Sequence, residues 1–133
     1  MRRLNERGAV AAEFALLLPV LLTILFGIIE FGMIMYGREV VTNAAREGAR
    51  FGIVATNKPA ASVAEGISTG YLTGTGINSA DVTFTASGAQ TANPNPLIMT
   101  ATYNYRWLIP YIPTLLSLPS PLVITVTVTM IQE

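Results

Sequence analysis

From Phe14 to Tyr36 the chain reads FALLLPVLLTILFGIIEFGMIMY, and in that run Glu30 is the single Asp, Glu, Lys or Arg. At a rise of about 1.5 Å per residue, a helix of this length crosses a hydrocarbon core of about 30 Å, so the run predicts one transmembrane helix. A core helix of a soluble domain seldom keeps so long a stretch free of polar side chains. Pro19 and the glycines at 27, 32 and 37 do not oppose this, since both residue types are tolerated in membrane helices. With the span subtracted, 133 residues leave room for one small outer domain.

The rest of the composition narrows the chemistry. Charged residues are 12% of the chain, against about 25% in ordinary soluble domains. The formal net charge is 0, so there is no global basic field to draw in nucleic acid or an acidic substrate. Cysteine and histidine are both absent, which removes disulfides, thiol chemistry, the common zinc sites and histidine acid–base catalysis. Asp81 is the only aspartate, and no nucleophile and base fall at helical or strand spacing. The sequence therefore points away from an enzyme, a metal site, a cofactor or a small-molecule substrate.

Before the apolar run stands MRRLNERG, with Arg2, Arg3 and Arg7 against Glu6, while the far side opens on the balanced pair Arg38 and Glu39. The excess of arginine predicts a cytoplasmic N-terminus and an outer location for residues after about 37. An ordinary secretory signal is a poor fit, because the apolar stretch is too long and no small-x-small cleavage site follows it. The helix is expected to stay in the mature protein.

Gly8 closes the basic leader, Ala9 begins the apolar run, and Glu13 and Phe14 follow: a glycine, four residues, a glutamate and an aromatic at the cytoplasmic lip of a membrane helix. This pattern resembles the site that prepilin peptidases cut in Flp-type pilins and in the TadE and TadF pseudopilins of tight-adherence systems. RGAVAAEFALLLPVLLTILFGIIEFG, then TNAAREGAR, then a threonine-rich closing strand are together similar to the TadE-like family. The resemblance implies cleavage between Gly8 and Ala9 by a prepilin peptidase, with Glu13 as the fifth mature residue. It also implies no catalysis in this chain, partners among other pilins, pseudopilins and inner-membrane platform proteins, and a place in the bacterial inner membrane or a pilus. Phe14, where Flp-type pilins take tyrosine at least as readily, and the long outer part both favour a pseudopilin over a major fibre subunit. An uncleaved membrane anchor carrying a binding or scaffold module is the competing reading, for which the Gly8 pattern has no use.

The two acids of the apolar run carry their own physics. A carboxylate in hydrocarbon costs several kcal/mol unless it protonates, reaches the surface or finds a partner. Cleavage at Ala9 would create an amine about one turn from Glu13; pairing with that amine on a neighbouring helix would drive assembly, whereas headgroup contact is the plainer outcome. Glu30, near the outer end, has two outlets: reaching the headgroups, or packing against a partner helix.

Past the membrane the helix is predicted to continue through 38–57. Val41, Ala44, Gly48, Phe51 and Ala55 form its apolar stripe, with Glu39, Asn43, Arg46 and Arg50 opposite. Ala44, Ala45, Gly48 and Gly52 admit a close backbone, either this chain's own sheet or a neighbour's helix; Arg46, Glu47 and Arg50 read as a solvated, pairing face. After Pro59 a shorter helix is expected over Ala60 to Leu72. It ends in TGYLTGTG, which lacks the lysine and the strand-to-helix setting of a phosphate loop. Strands are expected at about Val82 to Thr85, Leu97 to Tyr105 and Leu122 to Met130, separated by SGAQTANPNP and a proline-rich connection. The fold class is then α+β and pilin-like: a leader over 1–8, a transmembrane helix over 9–37, its extension over 38–57, and a small outer domain over 58–133 with a short helix and about three antiparallel strands. Within the connection WLIPYIPTLLSLP, Trp107, Leu108, Ile109, Tyr111 and Ile112 are too apolar for a solvent loop. They are assigned to contact with membrane lipid or a partner, the plainer alternative being that they fold back over a small core.

Overall fold

The computed structural model describes residues 2–54, 61–88 and 96–131, with side chains from Gly8 onward. One helix, α1, runs unbroken from Arg2 to Val54. It is the one helix among the described residues long and apolar enough to cross a membrane. Pro19 lies inside it without ending it, and the Thr23 hydroxyl donates to the Pro19 carbonyl at 2.8 Å, so this polar group is satisfied within the helix. From Gly8 to Ile29 almost every side chain is exposed, as a segment solvated by lipid requires.

Three strands, β1 (Val82–Ser87), β2 (Leu97–Tyr105) and β3 (Leu122–Met130), form one antiparallel sheet with β2 in the centre. A helix α2, Ala61–Tyr71, and a 3-10 turn, Ser79–Asp81, precede β1. The α+β class expected from the pattern is the one observed. β1 extends to Ser87 rather than Thr85; Ala60, the expected start of the second helix, and Ala55 lie outside the described residues. Along β3 the face with Ile124, Val126 and Val128 turns toward the core and the threonines face out, the alternation that a half-buried strand imposes.

The core sits between α1, α2 and the inner face of the sheet. Its members on α1 are Val41, Ala44, Ala45 and Ala49, met by Leu97, Met99, Ala101 and Tyr103 of β2. Phe51, expected on the buried stripe, is 40% exposed. The reason is steric: α2 and β2 approach over a lane of small residues. A Cβ at Gly48 would stand 2.0 Å from Ser68 Oγ, and one at Gly52 would stand 2.5 Å from Leu97. An aromatic ring has no room in that lane, so the helix rolls to put Phe51 outside and alanine and glycine inside. The small residues therefore serve this chain's own sheet and second helix. Opposite them, Asn43 bonds Glu39, Arg46 bonds Asn43, and Arg50 pairs with Glu47, the solvated face expected there.

Candidate functional site

Contacts between β2 and α1 descend the helix in order: Leu97 meets Gly52, Met99 meets Gly48, Tyr103 meets Gly37, and Tyr105 meets Glu30. β2 therefore runs antiparallel to α1 and carries the chain back along it toward the apolar stretch. At the lower end the Tyr105 hydroxyl donates to Glu30 Oε1 at 2.8 Å, and the Leu108 amide donates to the same oxygen at 2.8 Å. Glu30 is 1% exposed. Its other oxygen, Oε2, is closed off, with no hydrogen-bond partner among the described residues.

This geometry corrects the sequence reading of Glu30. Rather than lying open on the helix surface, the carboxylate is sealed by this chain's own Tyr105 and Leu108. A buried carboxylate is held by charge-assisted hydrogen bonds, and removing its donors leaves a group that is costly to bury alone. Burial, reinforced by the bond to Glu30, holds the Tyr105 phenol well above its ordinary pKa of 10.0. The Tyr103 phenol is also raised, by burial and then by the nearby Asp81 charge. The two rings meet edge to face at 6.0 Å, and Tyr105 meets Trp107 in the same manner at 6.1 Å.

Around this latch the chain turns sharply. Arg106 pairs with Asp81 at 2.6 Å, and Trp107 Nε1 donates to the Pro119 carbonyl at 2.9 Å. Between them lies a short helix, α3, Tyr111–Leu116, where only a connection was expected. Its prolines begin it rather than break it: Pro110 is the N-cap and Pro113 falls in the first turn, where a helix has no use for the missing N–H. It ends at Ser117, which is left-handed, and the Leu118 amide closes the turn on the Pro113 carbonyl at 2.9 Å. Ile112 is buried and Trp107 and Ile109 half-buried, whereas Leu108 and Tyr111 are exposed.

The residues around the expected cleavage site lie far from this cluster. Gly8, Ala9, Glu13 and Phe14 are exposed on the first turns of α1, and Glu13 has no polar partner among the described residues. Seventeen positions of helix separate Glu13 from Glu30, about 25 Å. The chain thus carries two separate features, an open acidic turn near one end of the span and a closed acid latch at the other. Tyr105 was missed as Glu30's partner. Strand alternation puts it on the inner face, but nothing local in the sequence says which helix residue it meets. Among the described residues no group of three or more acidic side chains could hold a metal.

One helix long and apolar enough to cross a membrane carries the small antiparallel sheet against its C-terminal part. The model of the TadE-like protein family matches residues 8–50, a segment that begins at the expected cleavage glycine and covers the span and most of its outer extension. Over that segment the chain is similar to TadE-like proteins. No curated protein matches it, and no solved structure does.

Proposed function

We propose that this chain is a minor pilin, or pseudopilin, of a tight-adherence type IV pilus or secretion system, processed after Gly8 and acting in pilus assembly or priming. The observation that carries the reading is the TadE-like match over residues 8–50. It is supported by Glu13, an acid exposed within an apolar helix and unpaired among the described residues, for which an amine at Ala9 of a neighbouring subunit is a fitting partner. The chain serves as a structural subunit and has no catalytic centre. Its partners are a prepilin peptidase, other pilins and pseudopilins, and the inner-membrane platform. The basic residues before Gly8 argue for a cytoplasmic N-terminus with the sheet outside.

Intact-mass measurement of the protein from its native host tests the reading: a mature chain beginning at Ala9 is expected when the peptidase is present. A chain still carrying the leader would favour the competing reading, an uncleaved membrane-anchored scaffold. A Cβ at Gly8 meets nothing within 4 Å, so Gly8→Arg is expected to block processing without disturbing the fold. A reporter fused after Glu133 tests the topology, and activity of a cytoplasm-only reporter would reverse it.

A further inference from the structure

The depth of α3 relative to the span is unexpected. Ile112 and Leu115 of α3 face Leu22 and Phe26 of α1 across a cleft of about 210 Å³. Those α1 positions lie four to eight residues before Glu30, so α3 sits about 6 to 12 Å below the latch along the helix axis. The outer boundary of the hydrocarbon cannot fall much below Glu30, because Ala9 to Ile29 spans about 31 Å, which is about the thickness of the core. If the boundary lies higher, toward Gly37, α3 is deeper still. The exposed Arg106, paired with Asp81, favours the lower limit.

The chemistry of the segment fits that depth. From Trp107 to Ile131 there is no Asp, Glu, Lys or Arg, and from Phe14 to Ile29 there is none either, so α3 and the part of α1 that it faces are both uncharged. Leu108 is 62% exposed, Tyr111 82% and Leu115 66%, a patch that water would penalise at about 25 cal/mol per Å². Leu22 of α1 lines the same cleft, and Leu18, Leu22 and Leu25 are themselves exposed. Trp107, with its indole N–H satisfied by Pro119, stands at the upper rim, where membrane proteins place such rings.

We propose that residues 108–118 are a membrane-inserted hairpin: the Glu30 latch holds α3 in the outer leaflet, and an acyl chain of that leaflet fills the cleft between α3 and α1. The inference rests on the membrane-anchor part of the proposed function and on neither cleavage nor pilus assembly. A neighbouring protein as the occupant is the alternative that the test distinguishes.

The chain contains no cysteine, so single-cysteine variants of the full chain can be spin-labelled without background. Leu115→Cys reports α3, Leu25→Cys the span, and Thr127→Cys the outward face of the sheet. Each is reconstituted at low protein density in vesicles of phosphatidylethanolamine and phosphatidylglycerol, and accessibility to oxygen and to a water-soluble nickel chelate is read by electron paramagnetic resonance. Leu115 is expected to match Leu25, with an oxygen-to-nickel ratio about tenfold above that of Thr127, because a polar chelate is excluded from hydrocarbon. A ratio like that of Thr127, with Leu25 still lipid-like, would place α3 in water and overturn the proposal while leaving the anchor intact. Low accessibility to both reagents would mean that a second protein covers α3, which also overturns it. A water-like Leu25 would remove the anchor and the proposal together.

Discussion

Glu30 and Tyr105, 75 residues apart in sequence, meet at 2.8 Å, and their bond joins the membrane helix to the last residue of the central strand. Leu108 adds a second donor to the same carboxylate oxygen. Glu30→Ala leaves the buried Tyr105 hydroxyl and the partly buried Leu108 amide without their acceptor and is expected to lower stability by about 1 to 3 kcal/mol. Tyr105→Phe should cost about 1 to 2 kcal/mol, and Glu30→Gln less than Glu30→Ala because a carbonyl oxygen remains. Thermal unfolding in detergent micelles measures these, and a double-mutant cycle isolates the pair. Additive losses for Glu30→Ala and Tyr105→Phe would mean that the two side chains are not coupled.

The raised pKa of Tyr105 fixes the sign of a pH effect. The folded state holds the phenolic proton more tightly than the unfolded chain, whose tyrosines titrate near 10.0. The stabilisation is therefore complete below pH 10 and is lost as pH climbs from there through the folded value. The ultraviolet tyrosinate titration of wild type minus that of Tyr105→Phe is expected to show a single phenol ionising above pH 10. A difference curve centred at or below 10 would contradict a buried, carboxylate-bound hydroxyl.

Two glycines should respond oppositely to alanine. At Gly48 a Cβ would stand 2.6 Å from the Ala64 carbonyl as well as 2.0 Å from Ser68, so Gly48→Ala should destabilise by about 1 to 3 kcal/mol through overpacking. At Gly66, inside α2, a Cβ meets nothing within 4 Å, and Gly66→Ala should stabilise by about 0.5 to 1 kcal/mol by reducing the freedom of the unfolded chain. Melting curves of the two variants beside wild type decide both.

Glu13 is open where Glu30 is closed, so its loss should spare the fold. Glu13→Gln is expected to give a stable, membrane-inserted protein that no longer joins its partners, since a desolvated ion pair that loses one member costs several kcal/mol. Co-purification of other pilus components from membranes, together with piliation, is compared with wild type at matched abundance. Unchanged association and unchanged piliation would leave Glu13 as a headgroup contact only.

Much of this fold is legible in the residues because local pattern and global structure agree. The run from Phe14 to Tyr36 announces a helix by its length alone, and Leu122 to Met130 announces a strand with a buried face by strict alternation. Phe51 was misplaced because helical periodicity ranks residues by hydrophobicity, whereas the sheet and α2 select α1's narrowest face. α3 was hidden for a related reason: Pro110 and Pro113 read as breakers unless the helix is known to start there. Glu30 posed the hardest case, since its burial depends on a strand more than seventy residues later returning to the membrane surface. At the other end, Gly8 and Glu13 are legible as a motif, but the proposed cleavage and assembly would depend on a peptidase and neighbours outside the chain.

The descent of β2 along α1, from Gly52 to Glu30, leaves no slack between anchor and head. The 53-residue helix is about 80 Å long, and its outer part is riveted to the sheet at successive levels. A head fastened to its stalk at so many levels has few contacts free to let it nod or swivel. A tilt, rotation or axial pull applied to the apolar part of the helix is thereby passed on to the sheet, as by a pushrod, so the way the helix is held would set the way the head points.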